Sequence, residues 1–412
     1  MVSGPSTVVA LRMRPGIDPM PVLRERWSRG ETVLLLADAL PDAVRARMLA
    51  DAGAREVIDG TRAAVDARQF EALRSEDHPA CAGVLVATSG SSGAPRLVEL
   101  SLGALVASAR LGASAVPFGP GDTWHASLAP HHVGGLMLRV RAAVHGGAVR
   151  TAALPRAWAD LEGCTHASLV ATQLARMLEV PGEPPASLRA VMLGGGPSAS
   201  PLRRAAIARG VPLFVTYGMT ETSSQVATCR PAPGDPATLA GPAIPGIHLD
   251  VDSPDAGGRG EITVDGPVLA HAVIDAGRRS PLARPHRTRD AGFVDAQGRI
   301  HVVGRLDAVI ISGGRKIHPE AVERVISSVP GVRAACVVAT AHPRWGERPV
   351  AFVDAAGPGT ADLADALRRE LEPHEVPDAF LRMPADEAAA MKPSRARLAA
   401  RLASGERFEK LS

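Results

Sequence analysis

Of the 46 basic side chains in this chain only three are lysine, Lys316, Lys392 and Lys410, and Tyr217 is its single tyrosine. Residue types this scarce direct attention to their neighbourhoods. The segment GVLVATSGSSGAPRLVELS, residues 83 to 101, runs from an apolar strand pattern into a loop dense in glycine and hydroxyls that closes on Arg96. Such a loop can bring backbone N–H groups, hydroxyls and a cation close to a phosphate. It is not a Walker loop, because GxxxxGKS/T is missing, and an ordinary flexible turn would share its composition. In FVTYGMTETSSQ, residues 214 to 225, an aromatic ring at a strand end is followed by Thr220 and Glu221. A ring can stack on a nucleobase, and a strand-end carboxylate can hold a hard cation such as Mg²⁺ beside phosphates. A helix start capped by Thr220, with Glu221 in its first turn, is the other reading of the same letters. In HRTRDAGFVDAQGRIHVVGRLDAVIISGGRKIHPEAVE, residues 286 to 323, Asp290 precedes a glycine turn. A carboxylate there suits the two hydroxyls of a ribose, or bonds its own backbone. Arg305 and Asp307 follow, where the texture of the chain changes.

Positioning such residues takes a layered scaffold, and the sequence predicts one. TVLLLAD, PDAVRARMLADAG and REVIDG read as strand, helix and strand, and the same alternation continues to about residue 220, which is α/β layering with parallel pairing. Several strands end in glycine, serine or threonine, at the carboxyl ends where open α/β sheets bind ligands. After about residue 230, PAPGDPATLAGPAIPG and SPDAGGRGEITVDG predict turns and short antiparallel strands. The expected fold is therefore a large N-terminal α/β domain of layered sheets with a β-rich subdomain, residues 1–305, and a small mobile C-terminal α+β domain, residues 306–412. With 412 residues the chain is long enough for two cores.

Composition removes other classes. Hydrophobic residues make up 46% and charged residues 22%, the balance of a globular protein rather than a disordered one. A net charge of +3 without a run of five like charges leaves no nucleic-acid footprint. No apolar run approaches the roughly 18 residues of a membrane span, and the N-terminus lacks the pattern of a secretory signal. Cys81, Cys164, Cys229 and Cys336 are spaced for neither a CxxC pair nor a zinc site. They read as reduced and mostly buried, and the cytoplasm is the expected location. Aromatics amount to only 3%, so a hydrophobic substrate pocket should be lined by aliphatic side chains, methionine and glycine backbone.

The three segments, together with Lys392 in AAAMKPSRARL, stand in the order and spacing of the adenylate-forming superfamily of acyl-CoA synthetases, aryl-CoA ligases and adenylation domains, which the chain resembles from residue 84 onward. LAPHHVGGLMLRVRAAVHGG, SLVATQLARML and VMLGGGPSASPLRRAAIARG narrow the likeness to the aromatic acid:CoA ligases of menaquinone biosynthesis. The resemblance implies a carboxylic acid substrate, ATP, Mg²⁺ and coenzyme A. It implies that Thr88, Ser89, Gly90, Ser91, Ser92, Gly93 and Arg96 meet phosphates and that Glu221 binds Mg²⁺. Tyr217, Gly218, Met219, Thr220, Gly195 and Gly196 would frame the adenine, and Asp290 and Arg305 the ribose. His132, Gly194, Ser223 and Gln225 would lie near the acyl group, Asp307 would be a hinge, and Gly313, Gly314 and Lys316 would form a loop that meets coenzyme A. Lys392 would bridge the substrate carboxylate and the α-phosphate, a place for a compact ammonium rather than a wide planar guanidinium.

The chain departs from the family pattern in four places. Arg96 stands for a lysine, Arg289 for the glycine of a TGD motif, Met391 for a glycine before Lys392, and Pro384 lies two residues further upstream of Lys392 than usual. Two other outcomes compete with the CoA ligase. One is a stand-alone acid-adenylating enzyme that passes the acyl group to an amine or to a carrier protein; no DSL serine motif is fused here, so the carrier would be a separate chain. The other is a nucleotide-binding scaffold without catalysis. The sequence leaves homo-oligomerisation open.

Overall fold

The structure is a computed structural model and describes residues 7–14, 18–59, 82–88, 95–356, 359–390 and 393–411. The expected phosphate-loop residues Ser89, Gly90, Ser91, Ser92 and Gly93, together with Cys81, Met391 and Lys392, lie outside the described residues.

The first layer is a seven-stranded mixed sheet. Strands Val8–Met13, Thr32–Ala37, Glu56–Asp59 and Gly83–Thr88 pair in parallel, with the Asp42–Ala52 helix as a crossover. This is the strand, helix, strand order that the alternation predicts. Gly83–Thr88 then pairs antiparallel with Arg96–Ser101 in a register that sets Thr88 opposite Arg96. The two described ends of the glycine-rich loop thus face each other across one ladder. The sheet is completed by Ala272–Asp275 and Arg278–Pro281, which the sequence places in the β-rich subdomain. Burial explains the difference: Ile274 packs with Leu97 and Leu85 in one apolar cluster.

The second layer is a six-stranded sheet in the order Ser224–Cys229, Leu213–Met219, Ala190–Leu193, His166–Leu169, Thr123–Ala126, Ala148–Thr151. All its pairs are parallel except the edge pair of Ser224–Cys229 with Leu213–Met219. Its central strands Ala190–Leu193 and His166–Leu169 are buried throughout, as expected for parallel strands covered on both faces. The helices Leu102–Gly112 and Val133–His145 fill the space between the two sheets. A five-stranded antiparallel sheet follows, with Arg299–Arg305 between Leu239–Pro242 and His286–Val294.

Beyond Arg305 the chain builds a separate sheet, dominated by the long hairpin of Val332–His342 and Gly346–Ala355. It has its own core on both faces. Ile326, Val337, Ala351 and Leu363 pack on one side, and Cys336, Val338, Phe352 and Leu398 on the other. Cys164, Cys229 and Cys336 are free thiols. Among the described residues no helix is long and apolar enough to cross a membrane.

Candidate active site

A cavity of about 260 Å³ opens at the carboxyl ends of Ala190–Leu193 and Leu213–Met219, bounded by Gly195, Gly196, Tyr217, Gly218, Asp290 and Arg305. Strand ends of a parallel sheet leave unpaired backbone groups there, which is why such sheets bind ligands at this edge. Expected nucleotide residues from three distant segments therefore meet in one place. Tyr217 donates its hydroxyl to Asp290 Oδ2 at 2.7 Å, and Arg305 Nη1 donates to Asp290 Oδ1 at 3.3 Å. Burial, and then the Asp290 charge, push the Tyr217 hydroxyl well above the usual tyrosine range, so it stays a donor. Arg305 also forks onto both oxygens of Asp307, at 2.9 and 2.7 Å. That bond holds the Arg305 guanidinium more basic than usual and the Asp307 carboxyl below its ordinary range.

The YGMTE stretch owes its shape to a bulge between Tyr217 and Gly218. A Cβ on Gly218 would stand 1.9 Å from the Ser224 carbonyl oxygen, so only glycine fits. Thr220–Thr222 forms a single 3-10 turn rather than a helix start, and Ser223 and Ser224 follow with φ of 50° and 96°. Glu221 lies near enough to His286 for its charge to act on that ring, and no group of three or more potential ligands forms a ready-made metal cage among the described residues. A lone carboxylate fits Mg²⁺, which takes most of its ligands from phosphate oxygens and water. Outside the cavity walls, at the start of the Arg96–Ser101 strand, Arg96 Nε is buried without a hydrogen-bond partner among the described residues. Thr88 Oγ1 lies 3.5 Å from the Arg96 carbonyl oxygen.

The acyl residues divide. Gly194 and Gln225 lie beside the cavity: Gly194 is packed against Thr216 so closely that a Cβ would meet Oγ1 at 2.5 Å, and Gln225 sits across the ladder from Gly218. Ser223 is fully buried and donates its hydroxyl to the Val268 carbonyl at 2.8 Å, while its own carbonyl accepts from Ser108. A buried hydroxyl must be bonded, so Ser223 holds the turn, and the expected acyl contact gives way to a structural one. His132 is exposed at the start of the Val133–His145 helix and stacks on His131 at 4.4 Å; it is not a wall of the cavity. Gly313, Gly314 and Lys316 form an exposed hairpin turn, with Gly313 N–H on the Trp345 carbonyl, also outside the cavity walls.

One functional candidate was not foreseen. Arg141, on the Val133–His145 helix, is 5% exposed. Its Nη2 donates to Gln225 Oε1 at 3.1 Å, and its guanidinium lies 5.6 Å from the Trp124 ring centre. No carboxylate pairs with it among the described residues, and burial pushes its guanidinium down to about 10. Gln225 Nε2, also buried, has no hydrogen-bond partner among the described residues. The neighbouring Arg139 differs, since Asp18 at 3.4 Å compensates it. The sequence signal was partial: two arginines stand in the otherwise apolar run VGGLMLRVRAAV, equivalent by pattern.

A cavity at the carboxyl ends of a parallel sheet that gathers Tyr217, Asp290 and Arg305, on a large α/β scaffold followed by a separate small sheet, is the architecture of a carboxylate-activating, adenylate-forming enzyme. The chain belongs to the AMP-binding enzyme family: the family model matches residues 29–272, and the AMP-binding enzyme C-terminal domain matches residues 321–388. It is 34% identical over 330 residues to a 2-succinylbenzoate--CoA ligase of Bacillus cytotoxicus, covering 76% of this chain and 68% of that protein. It is 33% identical over 314 residues to the enzyme of the same name from Bacillus cereus, covering 71% and 64%. Among solved structures, a point variant of E. coli MenE with bound OSB-AMS superposes with a TM-score of 0.79 at 26% identity, over 97% of this chain and 88% of that one. The o-succinylbenzoate CoA synthetase (MenE) of Bacillus subtilis, in complex with the acyl-adenylate intermediate OSB-AMP, gives 0.79 at 25% identity, over 99% and 90%.

Proposed function

We propose that this chain is an ATP-dependent 2-succinylbenzoate:CoA ligase working through an acyl-adenylate in menaquinone biosynthesis. Family membership and the relatives' names support the ligase. The observation that carries the particular acid is Arg141, a buried cation without an acid among the described residues, which bonds Gln225 beside the cavity. A buried charge is tolerable only when paired, and a substrate with two carboxylates can be activated at one while the other pairs with Arg141.

In the first step the substrate carboxylate oxygen attacks the α-phosphorus of ATP, a P–O bond breaks and pyrophosphate leaves. Charge builds on the phosphates, so preorganised donors supply most of the stabilisation. Arg96, Thr88 and the loop from Ser89 to Gly93 would supply them. Glu221 would hold Mg²⁺, which supplies neutralising charge beside the phosphates. Lys392 would bridge the carboxylate and the α-phosphate. Asp290, which accepts from Tyr217 and Arg305, would accept from the ribose hydroxyls. In the second step the thiol of coenzyme A attacks the acyl carbon and AMP leaves. The proposed division into residues 1–305 and 306–412 gives this step its mechanics: the small domain turns about Asp307, withdraws Lys392 and presents the loop of Gly313, Gly314 and Lys316 to the thiol. Free cysteines suit a reducing compartment, and the cytoplasm is the proposed location.

The test is AMP release with ATP, Mg²⁺, coenzyme A and 2-succinylbenzoate, run beside benzoate and a medium-chain fatty acid. Turnover confined to 2-succinylbenzoate supports the assignment. Adenylation without thioester formation would send the acyl group to a carrier thiol or an amine instead.

A further inference from the structure

The Ala171–Glu179 helix buries Gln173, Leu174 and Met177 in the large domain and leaves Arg176 and Glu179, three residues apart on one outer face, exposed. Both reach the small domain. Arg176 Nη2 donates to the Ala388 carbonyl at 2.8 Å, and Glu179 accepts both Nε and Nη2 of Arg333, at 2.9 and 3.3 Å. Ala388 lies four residues before Lys392, in the short Ala385–Ala389 helix. On the N-terminal side of Lys392, Glu387 is fully buried and accepts from the Ser394 N–H at 2.7 Å and from Arg397 at 2.6 and 3.1 Å. On its C-terminal side, Arg395 is fixed by Glu320 and Glu323, at 2.9 and 2.6 Å. The described residues flanking Lys392 are thus tied to each other and to the small domain, and Arg176 holds one of them, Ala388, from the large domain.

We propose that the outer face of the Ala171–Glu179 helix is the docking surface that holds the small domain in its lysine-delivering orientation, with Arg176, Glu179 and Arg333 as positioning residues for the adenylation step. This rests on the two-step reading above. A bidentate arginine–carboxylate pair is directional as well as attractive, so it specifies one orientation. All three contacts must break when the small domain turns, so they bear on the first step and not on the second. Neither Arg176 nor Glu179 lines the nucleotide cavity.

Because the ion pair is exposed, it can be inverted without threatening the fold. Glu179→Arg, Arg333→Glu and the double swap would be made in the full chain and read in two half-reactions. These are ATP–pyrophosphate exchange with 2-succinylbenzoate, and thioester formation from coenzyme A and separately prepared acyl-adenylate. Each single swap should lower exchange about fivefold or more and leave thioester formation unchanged or faster, and the double swap should restore exchange. Arg176→Ala should act in the same direction as the single swaps. X-ray scattering reads docking without any activity: the radius of gyration should rise in the single swaps and return in the double. Equal loss in both half-reactions, no recovery in the double swap, or an unchanged radius of gyration in the single swaps would overturn the proposal. A wild type that exchanges with no acid overturns the function instead, and scattering still decides the docking face.

Discussion

Replacing Arg141 by methionine should separate substrate recognition from stability, in opposite directions. The guanidinium is buried without an acid among the described residues, and burial pushes it down from the ordinary arginine range to about 10, a shift that corresponds to roughly 3 kcal/mol of unfavourable burial at 1.36 kcal/mol per pH unit. A basic group whose folded value lies below its unfolded one carries that cost throughout neutral pH. The cost disappears only as pH rises through about 10 toward the ordinary arginine range. Methionine of similar length removes the cost but leaves Gln225 Oε1 without its donor, worth about 1–3 kcal/mol in a buried place. The net expectation is a variant between unchanged and about 2 kcal/mol more stable, read by denaturant midpoint. Toward 2-succinylbenzoate the effect reverses, because losing one partner of a buried, hydrogen-bonded charge pair costs about 2–5 kcal/mol. At 1.4 kcal/mol per tenfold, kcat/KM should fall by roughly 30- to 3000-fold. The control substrate is 4-oxo-4-phenylbutanoate, which keeps the carboxylate to be activated and lacks the one on the ring. Its turnover should hold or improve in Arg141→Met. A variant that melts early, or that loses both acids equally, would show that Arg141 supports the core rather than reading a carboxylate.

Other expectations are simpler to test. Lys392→Ala should remove AMP release by at least about 100-fold, and Lys392→Arg should not recover it, because the planar guanidinium cannot replace a compact bridging ammonium; recovery by arginine would refute that role. Tyr217→Phe removes the 2.7 Å bond to Asp290 and should raise the KM for ATP about three- to tenfold, the worth of one hydrogen bond, with the KM for the acid unmoved. The Asp307 carboxyl is held below its ordinary range by Arg305, so its stabilisation is present above the unfolded carboxylate value near 4 and is lost as pH falls through the folded one. Melting temperatures of the wild type and Asp307→Asn should therefore differ at pH 7 and converge in acid. A gap that persists in acid would assign the effect to packing.

Much of the proposed nucleotide site could be named from the sequence because its chemistry depends on residue type at a strand end. Tyr217, Asp290 and Arg305 could be named without knowing their mutual distances, and the structure brings all three into contact. Elements with strong periodicity, such as Thr32–Ala37 and Asp42–Ala52, were legible for the same local reason. What escaped was set by tertiary partners. Ala272–Asp275 looks like any short strand, and only the apolar cluster around Ile274 sends it to the first sheet. Ser223 has the right chemistry for a substrate contact, yet the carbonyl of Val268 claims its hydroxyl. Arg139 and Arg141 are equivalent by pattern, and Asp18, more than a hundred residues away in sequence, makes one of them structural. No period in the sequence reports where that acid lies.

The glycine lost at position 289 shows how such departures can be absorbed. Arg289 has φ of 60°, the left-handed region that costs a non-glycine residue about 1–2 kcal/mol. The backbone is held there by its neighbours: Arg289 N–H donates to Glu261 Oε1 at 2.9 Å, and the N–H of the next residue, Asp290, donates to Thr288 Oγ1 at 3.1 Å. The turn that presents Asp290 to the cavity therefore keeps the conformation a glycine would give it, while the side chain gains a place 4.0 Å from Asp307. Both groups are partly exposed, so the contact itself is worth less than about 1 kcal/mol and does not offset the strain. The backbone bonds must therefore fix the turn and over-determine its geometry. On that basis an arginine here is tolerated without disturbing the Tyr217–Asp290–Arg305 constellation, whereas any side chain at Gly218 would drive into the Ser224 carbonyl and undo it.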